Sequence, residues 1–399
     1  MKSKSKFKQT EIGMIPEDWA FEELDKHAKI IMGQSPESNY YNSDGNGTLF
    51  LQGIRTFGNL YPKYDTWTTK ITKLAKKGSV LLSVRAPVGE VNIADKDVCI
   101  GRGLMSIDGK NNVFIFYLFK GFKKYVVNKE TGTVYGSVTR DDISKLKFQF
   151  PEENEQSTIS KILSDLDSKI ELNQQMNKTL EAIGQVIFKR WFVDFEFPNE
   201  KGKPYKSSGG EMVDSELGEM PKRWKVGRYE DLVIVSTGKG LKRDEFIENG
   251  EFPVIGANGE LGRTNNYLFD EKLILTGRVG TLGTVYLIRN KVWISDNVLI
   301  SKPISEEKYY YAYFTIRTFD FKSMNRGSTQ PLITQTDLKN KIIIVPDTKT
   351  LSRFHSICLN LFEKIYQNES QIVRLSQIRD SLLPRLMSGK IRVPVEVRV

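Results

Sequence analysis

Cysteine and histidine are scarce: Cys99, Cys358, His27 and His355 are the only ones in 399 residues. The cysteines form no CxxC or metal-type spacing, so no disulfide framework is expected and a reducing cytoplasm is the default compartment. Neither histidine belongs to an HxxxH or HExxH pattern, which leaves no Cys/His set for metal catalysis and gives both a structural or surface role. No run approaches the roughly 18 apolar residues that a membrane span requires. The basic start, MKSKSKFK, lacks the apolar stretch of a signal peptide and reads as a frayed tail.

Signatures of catalysis are missing as well. There is no GxxxxGK[ST] phosphate loop, and no Gly-rich loop with an Asn-Pro-Pro-aromatic motif for methyl transfer. Gly101-Arg102-Gly103 and Gly238-Lys239-Gly240 are lone GxG fragments and read as turns. Asp141, Asp142 and Lys145 outline a nuclease-like cluster, but its counterpart further along is Thr336-Asp337. Helix capping or a turn explains these acids better. No catalytic or metal-ligating residue is assigned.

What the chain has is positive charge and a repeat. Its 59 Lys and Arg outnumber 49 Asp and Glu, a net charge of +10. That excess suits a polyanion such as nucleic acid, with a merely basic solvated surface as the other reading. Hydrophobic residues at 39% suffice for sizeable cores, and the length suggests two or three domains. Gly13, Pro16, Trp19 and Gly33 recur 205 residues later as Gly218, Pro221, Trp224 and Gly238. Gly132, Thr139, Asp142 and Pro151 recur 195 residues later as Gly327, Thr334, Asp337 and Pro346. Common ends around divergent middles describe one scaffold carrying two different surfaces.

After Pro151 and again after Pro346 the pattern turns helical. Ile159, Leu163, Leu166, Ile170, Asn173, Met176, Leu180, Ile183 and Ile187 step by three and four, as do Phe354, Cys358, Leu361, Ile365, Asn368, Ile372, Leu375, Ile378 and Leu382. Such a stripe predicts coiled-coil pairing. Asn173 and Asn368 occupy equivalent positions, either fixing register in the seam or lying in a solvated helix middle. Pro384 predicts an end or kink near Leu383, with Gly389 as a cap. The globular segments carry short apolar runs at Thr48–Gln52, Val80–Val84, Lys147–Phe150, Leu273–Leu275, Val285–Ile288 and Lys341–Val345, which predict α/β or mostly β modules. Trp19 and Trp224 are assigned to packing.

Further motifs are Gly327-Ser328-Thr329-Gln330-Pro331 leading to Ile342–Pro346, Phe188–Phe195, and Ser381-Leu382-Leu383-Pro384-Arg385-Leu386-Met387-Ser388-Gly389. Together with Ile12–Trp19 and its copy Leu217–Trp224, they make the chain resemble the specificity subunits of Type I restriction–modification systems over essentially its full length. The resemblance implies an α/β (α+β) architecture: two pseudo-repeated target recognition domains separated by two long antiparallel coiled-coil helices. The expected segments are a first recognition domain at 1–150, a central helical spacer at 151–197, a linker at 198–217, a second recognition domain at 218–346, a C-terminal helical spacer at 347–390 and a tail at 391–399.

The implied role is non-catalytic: recognition of a two-part, interrupted site in double-stranded DNA, as part of defence against foreign DNA. A helix of about 35 residues, on the order of 50 Å long, makes a rigid spacer. The implied partners are two methyltransferase subunits, which bring S-adenosylmethionine, and restriction subunits, which bring ATP and Mg; no cofactor is expected on this chain. The first module departs from the family pattern, with Gly132–Ser137 in place of the Gly-Ser-Thr-Gln-Pro segment. Candidate DNA-binding residues are polar and loop-borne: Gln34, Ser35, Tyr40, Tyr41, Gln52, Arg55, Arg85 and Arg102 in the first module. In the second they are Lys239, Lys242, Arg243, Asn258, Arg263, Arg278, Arg326, Ser328, Thr329 and Gln330. Arg85 and Arg278 carry extra weight because each follows an equivalent apolar strand. Two other readings stay open, a coiled-coil adaptor that binds protein and a recognition fragment of a fused restriction–methylation enzyme.

Overall fold

The computed structural model describes residues 6–129, 136–280, 282–327 and 331–394. The chain divides into two compact units, one comprising residues up to Gln175 with those from Asn368 onward, the other Met176–Gln367. Each unit holds one globular module and a part of each of two long helices, Glu153–Phe188 and Thr348–Met387.

In the first unit an antiparallel sheet runs in the order Val91–Ile93, Val80–Ser83, Leu104–Gly109, Ala28–Met32. Val80–Ser83 is buried at every position, which explains its unbroken apolar run. A second sheet pairs Thr48–Leu51 in parallel with Val98–Ile100. The helix Asn112–Gly121 covers the first sheet with Phe114, Ile115, Phe116, Tyr117, Leu118 and Phe119, all buried. In the second unit the counterpart sheet runs Val233–Thr237, Val298–Pro303, Leu273–Gly277, Val285–Ile288. Phe252–Gly256 pairs in parallel with Trp293–Ile294, and Tyr309–Ile316 is the covering helix. Trp19 and Trp224 lie in the two cores at 1% and 4% exposure, so both pack rather than stack on a ligand.

The duplicated acids are caps. Thr139 N–H and hydroxyl donate to Asp142 at 2.8 and 2.6 Å, while Asp142 N–H donates back to the hydroxyl at 3.2 Å. Thr334 and Asp337 repeat this box at 3.0, 2.6 and 3.2 Å. A Thr with an acid three residues on satisfies two of the helix's orphan amides reciprocally. The hydrogen bonds from Thr139 hold the Asp142 carboxyl below its usual range.

The long helices pack antiparallel in each unit. In the first, Asp167 pairs with Arg379 at 2.5 Å and Asn173 Nδ2 donates to Gln371 Oε1 at 2.8 Å, so numbering rises on one helix as it falls on the other. In the second, Phe188 and Trp191 meet Phe354. Asn173 and Asn368 are 1% and 2% exposed, which places both in the packed seam. The expected stripe drifts, however: Ile183 is 42% exposed and Ile378 47%, with Gly184 buried instead. A straight helix turns 3.6 residues per cycle, so a 3.5-residue stripe rotates out of the seam over several turns.

Four sequence expectations are corrected. Of the two outcomes expected at Pro384, an end at Leu383 does not occur: the second long helix continues to Met387. Leu383, Leu386 and Met387 are buried in the first unit's core, and the Met387 carbonyl accepts from Gln149 Nε2 at 2.5 Å. Burying three large apolar side chains, roughly 1.5–3 kcal/mol each, outweighs the ~3 kcal/mol cost of an interior proline. Gly389, at φ +68°, follows as the cap. The linker expected at 198–217 is folded: Met212–Val213 pairs with Met220–Pro221, and Tyr205 stacks on Phe197 at 4.6 Å. The expected tail at 391–399 is held at its start, since Arg392 binds Asp18 and Glu155, each at 2.8 Å, and Val393 is buried; residues 395–399 lie outside the described residues. Residues 1–5 of the basic start lie outside the described residues, but its end is not frayed: Phe7–Thr10 pairs with Gly13–Pro16, and Lys8 Nζ donates to the carbonyls of Glu17 and Trp19.

Candidate nucleic-acid interface

In the first module the turn after Val98–Ile100 gathers several predicted residues. Gln34 N–H donates to the Ile100 carbonyl at 2.9 Å, and Gly33 N–H to that of Leu104 at 2.9 Å. Ser35 Oγ accepts from Arg102 N–H at 3.1 Å. Gly101 N–H donates to the Leu51 carbonyl at 2.8 Å, which sets Gln52 beside the same turn. Val84 N–H donates to the Gly103 carbonyl at 3.0 Å, leaving Arg85 next along the strand in a bridge with Ser137. Thus Gln34, Ser35, Gln52, Arg85 and Arg102 share one loop cluster. It is built on backbone approach so close that a Cβ on Gly33 would stand 2.2 Å from the Gly101 oxygen.

Tyr41 and Arg55 line a neighbouring cleft of about 230 Å³ with Gln52, Asp65 and Thr66. Tyr41 stacks on Phe50 at 4.6 Å and donates its hydroxyl to the Pro36 carbonyl at 2.8 Å. Arg55 pairs with Asp65 at 2.7 Å, and its guanidinium holds that carboxyl below the usual range. Tyr40 lies under the Lys70 ammonium, 4.8 Å from its ring centre.

The second module repeats the backbone and changes the side chains. Lys239 stands where Gln34 does, its N–H donating to the Ile294 carbonyl at 2.8 Å. A Cβ on Gly238 would lie 2.1 Å from the Ile294 oxygen. Ser295 N–H donates to Ile255 at 2.9 Å, Val298 N–H to Ser295 at 3.2 Å, and Arg278 N–H to Asn297 at 3.1 Å. Ser295-Asp296-Asn297 is therefore the counterpart of Gly101-Arg102-Gly103.

The same register corrects the matching of Arg85 with Arg278. Leu104 faces Ser83 and Val298 faces Gly277, so Arg278 is the counterpart of Val84, and Arg85 that of Val279. The bridges agree: Arg85 with Ser137, Val279 with Leu332. A shift of one residue turns a side chain to the opposite face of a strand. Arg278 accordingly has a buried Nε, whereas Arg85 is exposed.

The remaining candidates separate by their partners. Arg263 is a strut, donating to the carbonyls of Gly250 and Glu251 at 2.7 Å each and pairing with Glu260 at 3.3 Å. Arg326 pairs with the capping acid Asp337. Lys242 caps and Arg243 opens a short 3-10 turn, Arg243–Glu245, held by the Lys242 N–H to Glu245 bond at 3.1 Å, and Asn258 is exposed in the hairpin turn between Gly256 and Gly259. Ser328, Thr329 and Gln330 lie outside the described residues, as does Gly132–Tyr135 of the first module. Among the described residues, Gln34, Gln52, Arg85, Arg102, Lys239, Arg243 and Asn258 have no ion pair and make no side-chain hydrogen bond.

Sequence reasoning missed Asp296. Nothing in Ser-Asp-Asn resembles Gly-Arg-Gly, because the equivalence resides in backbone hydrogen bonds that many residue types can make. Among the described residues no group of three His, Cys, Asp or Glu could hold a metal, and no helix is long and apolar enough to cross a membrane.

Comparison with known proteins agrees with the duplication. A family model described as Type I restriction modification DNA specificity domain matches residues 16–182 and again 221–370. The chain is 28% identical to the Type I restriction enzyme MjaIX specificity subunit of Methanocaldococcus jannaschii, over 98% of this chain and 97% of that one. It is 25% identical to the Type I restriction enzyme HindI specificity subunit of Haemophilus influenzae, over 80% and 88% respectively. The crystal structure of a Type I restriction–modification S subunit from M. genitalium shares the fold, with TM-score 0.64 at 19% identity over 96% of this chain and 99% of that one.

Proposed function

The chain belongs to the Type I restriction–modification DNA specificity family, and from that premise we propose how its parts divide the work of a DNA-specificity subunit. Each globular module reads one part of a bipartite, interrupted site in double-stranded DNA. The two long helices set the gap and dock two methyltransferase subunits, with restriction subunits joining where the cell makes them. The chain supplies recognition and no chemistry; S-adenosylmethionine belongs to the methyltransferase, ATP and Mg to the restriction subunit. Its place of work is the cytoplasm.

The observation that carries this reading is one backbone scaffold built twice with different polar side chains in the same loop cluster. Lys and Arg contacts to phosphate give affinity without sequence information, and groups that reach base edges give discrimination. Two copies of one loop cluster with different residues are then two readers of different bases. The docking role of the long helices is carried over from the family to which the chain belongs.

The test is module exchange. Replacing residues 218–345 by the corresponding module of another such subunit changes one half of the methylated sequence and keeps the other half. A change in both halves contradicts the two-reader assignment.

A further inference from the structure

The same turn stands in both modules with opposite charge. In the first it presents Arg102, in the second Asp296, and matched hydrogen bonds to the neighbouring strands hold both turns. The chain carries a net charge of +10, yet this turn of the second module presents an exposed acid, Asp296. Among the described residues neither side chain has an ion pair or hydrogen bond, unlike Arg55, Arg263 and Arg326. An acid without a partner on a surface meant for phosphates repels the ligand unless a base donates to it.

We infer that this turn is the base-reading element of each module, with Arg102 taking guanine and Asp296 taking cytosine. The inference rests on the specificity role proposed above. Guanine offers two acceptors, O6 and N7, in the major groove and suits a guanidinium in bidentate fashion. Cytosine offers the N4 amino donor with no acceptor of its own beside it, which suits a carboxylate. Adenine also has an amino donor, but its N7 acceptor faces the second carboxylate oxygen unfavourably. Rigidity adds to the case. Gly33 and Gly238 let the backbone approach these turns within distances that exclude a side chain, so each reader sits on a fixed support. Placement errors of about 1 Å weaken such contacts.

The experiment is a methylation map from cells carrying the complex with either the wild-type chain or Asp296→Asn. The variant relaxes one position of the second half-site, cutting preference for cytosine there by about ten- to a hundredfold, with asparagine favouring adenine. The first half stays unchanged. Arg102→Gln does the converse, relaxing one guanine of the first half. An assembled, active Asp296→Asn complex with an unaltered motif overturns the inference and leaves the specificity role standing. Methylation that does not depend on this chain at all overturns the role itself. A check needs no variant: once module exchange has assigned the halves, a second half-site without a C·G pair overturns the Asp296 assignment, and a first half-site without one overturns that of Arg102.

Discussion

Gly238→Ala tests how the fold supports its reading surface. The glycine was visible first as one member of a repeat, Gly33 and Gly238 being 205 residues apart. Its added Cβ would stand 2.1 Å from the Ile294 oxygen and 2.4 Å from that of Ser295. Ordinary carbon contact lies near ~3.5 Å, so the two backbone segments must part by about 1.4 Å. Separation stretches the bond from Lys239 N–H to Ile294, now 2.8 Å, and carries the Ser295–Asn297 turn with it. Overpacking costs about 1–3 kcal/mol and the lost hydrogen bond about 1 kcal/mol, together about 2–4 kcal/mol. For a unit of this size that lowers Tm by roughly 5–15 °C. Calorimetry on the purified complex reads the stability, and a methylation map reads the second half-site, which loses selectivity while the first keeps it. A Tm within about 1 °C of wild type, together with an unchanged motif, would refute the reasoning.

Three other perturbations follow from the same contacts. Asp167, 5% exposed, is bound by Arg379 at 2.5 Å and by the Tyr117 hydroxyl at 2.7 Å, so Asp167→Ala leaves the buried hydroxyl without its acceptor and Arg379 with Asp380 alone at 2.8 Å, a loss of about 1–3 kcal/mol in a denaturant titration; a loss under about 0.5 kcal/mol contradicts this. Asp347 is raised by burial, but donation from Thr350 and Trp224 outweighs this and leaves its carboxyl below the usual range. A depressed folded value contributes stability fully above the unfolded value, near 3.8, and loses it as pH falls through the folded value, so acid unfolding shifts to higher pH in Asp347→Asn; equal acid midpoints refute that sign. If the Arg278 guanidinium, whose Nε is buried, still reaches a base edge, Arg278→Ala weakens specific binding of the complex by about 1–3 kcal/mol; unchanged affinity and unchanged site preference remove Arg278 from the readers.

Much of the architecture was legible because it depends on periodicity and capping. The three-and-four spacing from Ile159 and from Phe354 became two long helices, and Thr139-Asp142 with Thr334-Asp337 became capping boxes. Each of the six short apolar runs matches a strand to within one residue at either end or lies inside one, Val80–Ser83 and Leu273–Gly277 among them. What was not legible depends on partners distant in sequence. The polar, glycine-bearing segment 198–217 looks like a linker and the short stretch after 390 like a tail, yet Tyr205 and Arg392 find partners on Phe197, Asp18 and Glu155 that no local pattern announces. The candidate site suffered from a one-residue ambiguity. Both apolar strands are followed by an arginine, but only pairing with Leu104–Gly109 and Val298–Pro303 shows that Arg85 and Arg278 leave on different faces.

The most direct test of the central claim is a map of methylated bases in cells carrying this chain with its methyltransferase, compared with cells lacking this chain alone. A two-part interrupted motif that disappears with the chain is the predicted result. An unchanged map, with the methyltransferase expressed and the complex formed, contradicts the specificity role.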